Sequence, residues 1–286
     1  MSRLAVPKTY KLYLGGKFPR SESGRTYPVL DAGGRFLANA AKASRKDARD
    51  AVVAARAAVT GWSGATAYNR GQVLYRIAEL LEGRRAQFID EIVRCEGASA
   101  DAAEAQVDSA IDRWIWYAGW ADKYAQVVGN GNAVSGPYFN LSVPEPTGVV
   151  AVIAPQDSSL LGLVSAVAPV LVSGNTVVVV ASETRPLSAI SLGEVLATSD
   201  VPGGVVNILT GSPAEISPWL ASHADVNALD LLGAGALDWI DLQIAAAETL
   251  KRVLPPENGP DAGAPALSRI TAFTEIKTVW HPRGML

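Results

Sequence analysis

The side chains able to do chemistry near neutral pH are few and scattered. One cysteine, Cys95, and two histidines, His223 and His281, are present in 286 residues. A structural zinc site takes four such ligands, so no metal site is expected. A nucleophilic cysteine needs a stabilised thiolate and a base beside it. Cys95 is flanked by Arg94 and Glu96, whose opposite charges give no net activation, so the thiol reads as structural. His223 stands before an apolar run and reads as a turn residue. His281 follows the last β-prone run and reads as exposed or at an interface. No catalytic residue is assigned.

Composition narrows the class. The chain is 49% apolar and 19% charged, an ordinary globular balance for one large α/β domain or two small ones. Net charge is -3 and no Lys/Arg-rich block is present, which argues against a nucleic-acid partner. A single cysteine excludes an intrachain disulfide and fits a reducing cytoplasm. Met1 to Lys11 has no apolar core of a secretory signal. The longest apolar run, Leu160 to Val172, is broken by Ser165 and Pro169 and falls short of the roughly 18 residues of a membrane helix. A cytoplasmic protein without a membrane partner is expected.

The elements that must position any site follow from periodicity. Ser44 and Asp47 form a capping-box pattern. Beyond it Ala48, Ala51, Val52, Ala55, Ala58, Val59 and Trp62 recur at helical spacing, with Gly61 as the stop. Val73 to Leu81, Phe88 to Val93 and Val107 to Ala121 predict three more helices, the last with an aromatic stripe that reads as core packing. From Gln126 to Pro146, Gly, Asn and Pro separate short β-prone pieces such as Tyr138 to Val143, predicting an extended arm or hairpin.

The second half alternates. Strands are expected at Val149–Ala154, Thr176–Ala181, Val205–Leu209 and Val226–Leu232. Helices are expected at Ser159–Val172, from Pro186, at Glu215–Ala221 and at Leu237–Arg252. Such alternation implies a parallel, doubly wound Rossmann-like sheet beside an N-terminal helical layer. After a Pro/Gly-rich linker, Phe273 to Trp280 reads as a final strand. A lone strand needs a neighbouring edge, and another chain is one place to find it.

EPTGVVAVIAP, APVLVSGNTVVVVASETRPLSA and DVPGGVVNILTG, in this order and spacing, resemble the aldehyde dehydrogenase superfamily. The upstream helices and the closing FTEIKTVW match as well. The resemblance implies a dinucleotide-binding domain over 1–125 and 146–254, an oligomerisation arm over 126–145 and 268–286, and a linker over 255–267 where the catalytic domain belongs. It also implies cofactor contacts from Glu183, Gly211 and Gly233.

The departures bear on chemistry. Where the family has Pro-Trp-Asn, this chain has Pro155-Gln156-Asp157, putting a carboxylate where an oxyanion donor is needed. Loss of one such donor costs about 10²–10³ in rate. Val180-Ala181-Ser182-Glu183 keeps the ribose-binding acid but loses the family's lysine. The phosphate-cradling turn becomes Leu231-Leu232-Gly233-Ala234, and Asp238 replaces a later glycine, competing with phosphate for a helix N-terminus. Leu254-Pro255-Pro256-Glu257-Asn258-Gly259 stands where the general base belongs, with Glu257 out of register. The cysteine-bearing domain that should follow is missing.

Weak NAD or NADP binding, or none, is therefore expected. The first reading is a noncatalytic subunit that pairs with itself or with a full-length aldehyde dehydrogenase. The alternative is NAD(P)-dependent aldehyde oxidation with a nucleophile supplied by a partner subunit. A third is a dinucleotide sensor without turnover.

Overall fold

A computed structural model describes Leu4, Val6 and residues 8–257 and 264–284. The N-terminal segment, unassigned from the sequence, contributes β1 (Thr9–Tyr10), β2 (Thr26–Leu30) and β3 (Phe36–Ala41) in a small sheet ordered β1-β3-β2. β3 delivers the chain to the main sheet, where the Ala43 N–H donates to the Thr210 carbonyl at 2.8 Å.

Four long helices follow: α1 (Arg45–Gly64), α2 (Ala67–Gly83), α3 (Arg85–Glu96) and α4 (Ala100–Trp120). The capping box starts α1: Ser44 Oγ accepts from the Asp47 N–H, and the Asp47 carboxylate accepts from the Ser44 N–H. Gly61 does not stop this helix, which runs three residues further to Gly64. Trp62 explains the extension, being buried with its indole N–H donating to the Leu171 carbonyl at 3.0 Å. Trp114 and Tyr117 of α4 are fully buried in the core, as the aromatic stripe predicts.

A short α5 (Tyr124–Val128) leads to β4 (Asn130–Gly131) and the long β5 (Tyr138–Pro146). The alternating region then gives β6 (Val149–Ile153), α6 (Leu161–Val172), β7 (Thr176–Val180), α7 (Leu187–Leu196), β8 (Val206–Leu209), α8 (Pro213–Ser222), β9 (Ala228–Asp230) and α9 (Trp239–Ala247). The expected helix to Arg252 ends early, and β10 (Arg252–Leu254) takes its place beside β9. Leu250, with φ of 55°, turns the chain between them. The last elements are α10 (Leu267–Thr271) and β11 (Thr274–Pro282).

All five strands of the main sheet are parallel, in the order β10-β9-β6-β7-β8. This is the doubly wound Rossmann-like arrangement, with its switch in direction between β6 and β9. Val150, Val152 and Val179 face one hydrophobic core with α2, α4 and α6. Val149, Ala151 and Val178 face a second with α1 and α8. Burial on both faces is why these strands read as continuous apolar runs.

β11 finds its neighbour within its own chain. It pairs antiparallel with β5 along its whole length, from Thr274↔Pro146 to Pro282↔Tyr138. That corrects the expectation of an edge in another chain. α10 and Phe273, counted with the arm from the sequence, lie against the main body, Ile270 and Phe273 being fully buried. No helix among the described residues is long and apolar enough to cross a membrane.

Candidate functional site

In a doubly wound sheet the loops leaving the carboxyl ends of the strands form the ligand crevice. The turn after β6 carries Gln156, whose side chain spans two strands. Its Nε2 donates to the Ala154 carbonyl at 2.7 Å, and its Oε1 accepts from the Glu183 N–H at 3.0 Å. Ser182 adds a hydrogen bond from Oγ to the Gln156 carbonyl at 2.8 Å. Asp157 is exposed beside them, and Arg185 donates to its backbone carbonyl. An acid rather than a donor therefore stands at the mouth of this turn.

Glu183 is half-buried at the start of the loop after β7. The Tyr27 phenol from β2 lies close to it. Burial, and then the Glu183 carboxylate, push the Tyr27 hydroxyl above its usual range. Gly211, buried just past β8, eases that shift with its amide without meeting hydrogen-bond geometry. Its φ of 121° suits only glycine, and a Cβ there would come within 3.2 Å of the Ala43 nitrogen. Tyr27 thus feels both the Glu183 charge and the Gly211 amide. Gly233 is apart from them, after β9, where it packs on the end of β6. Its N–H donates to the Ile153 carbonyl at 2.8 Å, and a Cβ would overlap the Ala154 carbonyl.

A cleft of about 350 Å³ opens between α8 and α9, lined by Ser217, Pro218, Leu237 and Leu242 among others. Ser217 Oγ is buried there without a hydrogen-bond partner. A flat nucleobase with one polar edge suits this cleft. The phosphate end fits poorly. Asp238 caps α9, accepting from the Asp241 N–H, and both carboxylates line the cleft. Lys42 is held by Glu215 at 2.7 Å. The described lining of this cleft, a buried hydroxyl with two acids and no cation, fits a base better than a pyrophosphate.

The remaining sequence candidates lie elsewhere. Cys95 is buried in α3, and burial, followed by the charge of Glu91, pushes its thiol up to about 12. His223 closes a turn, its Nδ1 accepting from the Asp225 N–H at 3.1 Å. His281 is exposed on β11, opposite Phe139. Glu257 accepts from Arg269 at 2.9 Å, which engages it in structure.

Three contributors escaped sequence reasoning: Tyr27, Ser217 and the buried pair Asp230–Arg269. Only the last had a usable signal, an acid inside the apolar run Ala228–Leu232.

The comparisons agree with this architecture. The aldehyde dehydrogenase family model matches residues 18–255. Retinal dehydrogenase 2 of Gallus gallus is 34% identical over 251 residues, covering 86% of this chain and 48% of that protein. D-glyceraldehyde dehydrogenase (NADP(+)) of Thermoplasma acidophilum is 32% identical over 248 residues, covering 85% and 49%. Among solved structures, HpcC from Thermus thermophilus superposes with a TM-score of 0.82 at 30% identity, covering 88% of this chain and 48% of that one. The NAD+ complex of aldehyde dehydrogenase from Bacillus cereus gives 0.79 at 26% identity, covering 86% and 50%. The chain spans about half the length of the relatives it matches. The match of the family model across most of its length places this chain in the aldehyde dehydrogenase family.

Proposed function

We propose that this chain acts as a noncatalytic subunit of its family, pairing with a second copy of itself or with a full-length aldehyde dehydrogenase. The observation that carries the reading is the sheet ordered β11-β5-β4, in which β11 is an edge strand. Among the described residues nothing pairs with its outer edge. Ile276 and Trp280 project from it more than half exposed, at 51% and 56%. Phe139, Leu141 and Val143 of β5 are exposed as well. Edge strands of this length are usually blunted or covered. Adding a strand from a partner would satisfy the free backbone groups, with the apolar side chains adding affinity.

The crevice supports the noncatalytic part. Asp157 stands where the family resemblance calls for an oxyanion donor, Glu257 is engaged by Arg269, and the only cysteine is buried, with burial raising its thiol pKa. The B. cereus relative is solved with NAD+, and the α8–α9 cleft leaves weak NAD(P) binding within this reading.

Light scattering after size exclusion, alone and with a full-length aldehyde dehydrogenase from the same source, tests the proposal. A dimer or mixed oligomer that dissociates in the Ile276→Glu/Trp280→Glu variant is expected. A chain that stays monomeric and captures no full-length homologue sinks it. Calorimetric titration with NAD⁺ and NADP⁺ separates the second reading, a thiol borrowed from a partner. That reading requires aldehyde-dependent NADH formation by the mixed oligomer, lowered by Glu183→Ala.

A further inference from the structure

Away from the crevice, a cavity of about 700 Å³ lies between the start of α1, the segment before β2 and the end of α8. Its size is that of a small-molecule site. Arg45, Lys46 and Arg49 line it from α1, Arg25 from the opposite wall, and Trp219 and His223 from α8 and its cap. Four cations therefore surround one space in a chain whose net charge is -3. They come from separate segments, so no basic block marks them in the sequence.

The internal pairing of these cations is incomplete. Glu22 is the one acid in the cavity lining, and it accepts from Lys46 at 3.3 Å and from Ser44 Oγ at 3.2 Å. Arg49 reaches its chain neighbour Asp50 at 2.7 Å. Arg25 donates to the Ser23 hydroxyl at 3.3 Å. Among the described residues no carboxylate forms an ion pair with Arg25 or Arg45. Glu215, which feels the charge of Arg25, is paired to Lys42. Arg45 and Lys46 also stand in the first turn of α1, against the positive end of the helix dipole, where cations are disfavoured. Asp47, the one acid of that turn, is buried in the capping box and bonded to Ser21.

The floor adds an aromatic surface. Trp219 is exposed, and the Arg45 guanidinium lies over its ring at 3.4 Å from the centroid. A guanidinium on an indole makes a flat layer on which a base can stack. His223 uses Nδ1 to accept from the Asp225 N–H, which leaves Nε2 as the ring nitrogen able to donate.

We infer that this cavity binds a phosphorylated aromatic ligand of nucleotide size, its ring on the Arg45–Trp219 layer and its phosphates between Arg25, Lys46 and Arg49. The site is separate from the α8–α9 cleft and does not depend on subunit pairing.

Titration of the full chain with ADP tests it, with pyrophosphate and adenosine as the two half-ligands. Saturable ADP binding is expected, competed by pyrophosphate and weakened by added salt. The Arg45→Gln/Arg49→Gln variant should bind about ten-fold more weakly or worse, and Trp219→Leu should lose affinity for ADP but not for pyrophosphate. Those side chains are exposed, so unchanged melting temperatures show the variants are folded. Glu183→Ala should leave ADP binding intact. Absence of binding at millimolar ADP overturns the inference. So does adenosine binding as tightly as ADP, or a loss that follows Glu183→Ala and spares the arginine variant.

Discussion

Arg269 Nη2 lies 2.5 Å from Asp230 Oδ2, with the two side chains 6% and 0% exposed. The contact joins α10, just before the arm, to the end of β9, next to the edge strand of the sheet. Burial works against the charge on Arg269, but Asp230 and then Glu257 outweigh it and hold the guanidinium above its usual range. Asp230 also accepts from the Leu232 N–H at 3.1 Å, so the pair organises the turn leading to Gly233.

Removing Arg269 strands the Asp230 carboxylate in the core, and removing Asp230 leaves the buried Arg269 with only the partly exposed Glu257. Asp230→Ala should lower the unfolding free energy by about 3–5 kcal/mol, read from urea denaturation. Asp230→Leu/Arg269→Met should recover much of that loss, because neither charge is then stranded. Equal losses in the two variants would falsify a coupled pair.

Glu91 predicts a pH effect of opposite sign to that of most acids. It is buried in α3, and burial raises its pKa despite hydrogen bonds from Ser191 at 2.6 Å and Gln87 at 3.0 Å. Lys8 favours its charge from outside. With the folded value above the unfolded one, its favourable contribution is complete below the unfolded pKa. It is lost as pH rises through the folded value. Glu91→Gln should therefore melt higher than the parent chain at pH 8 and lose that advantage on acidification. A constant gap across pH would contradict this assignment.

Gly233→Ala introduces a methyl group against the Ala154 carbonyl. Backbone on both sides must give way, at a cost of about 1–3 kcal/mol. A melting temperature equal to that of the parent in calorimetry would show that the β6 and β9 turns separate freely.

Cys95 should behave as a core residue. With its thiol pushed up to about 12 by burial, alkylation by iodoacetamide should follow global unfolding and accelerate with urea in step with it. Rapid labelling of the native chain at neutral pH would contradict the buried placement.

What could be read in advance was governed by local chemistry. Ser44 and Asp47 announced the start of α1 because a capping box is complete within four residues. The run from Val149 announced β6 because a strand covered on both faces has no polar side. β2 lacked such a signal: of Thr26–Leu30 only Val29 is buried, and Pro28 interrupts the run. β10 hid behind α9, since Leu250, Val253 and Leu254 continue an apolar texture and only the backbone turn at Leu250 separates them.

The candidate site was legible only in pieces. Glu183 and Gly211 were named, but Tyr27, whose hydroxyl feels both, comes from a segment with no assigned element. Ser217 carried no mark among the apolar residues of α8. Asp230 found its partner 39 positions away, a distance across which side-chain pairing leaves no pattern. The strand after Phe273 was visible, whereas its pairing with β5 depended on register between segments 136 positions apart.

The contact between Glu257 and Arg269 also bears on how half of a longer fold holds together. It clips the chain at two points, one just beyond β10 and one within α10, so both ends of the intervening segment are anchored to the same body. Closing a longer segment between fixed ends costs only slightly more entropy than closing a short one. The clip therefore fixes where that segment leaves and rejoins the body. A domain grafted between these residues, or a brief connection in its place, would leave the sheet, its helices and the arm where they are.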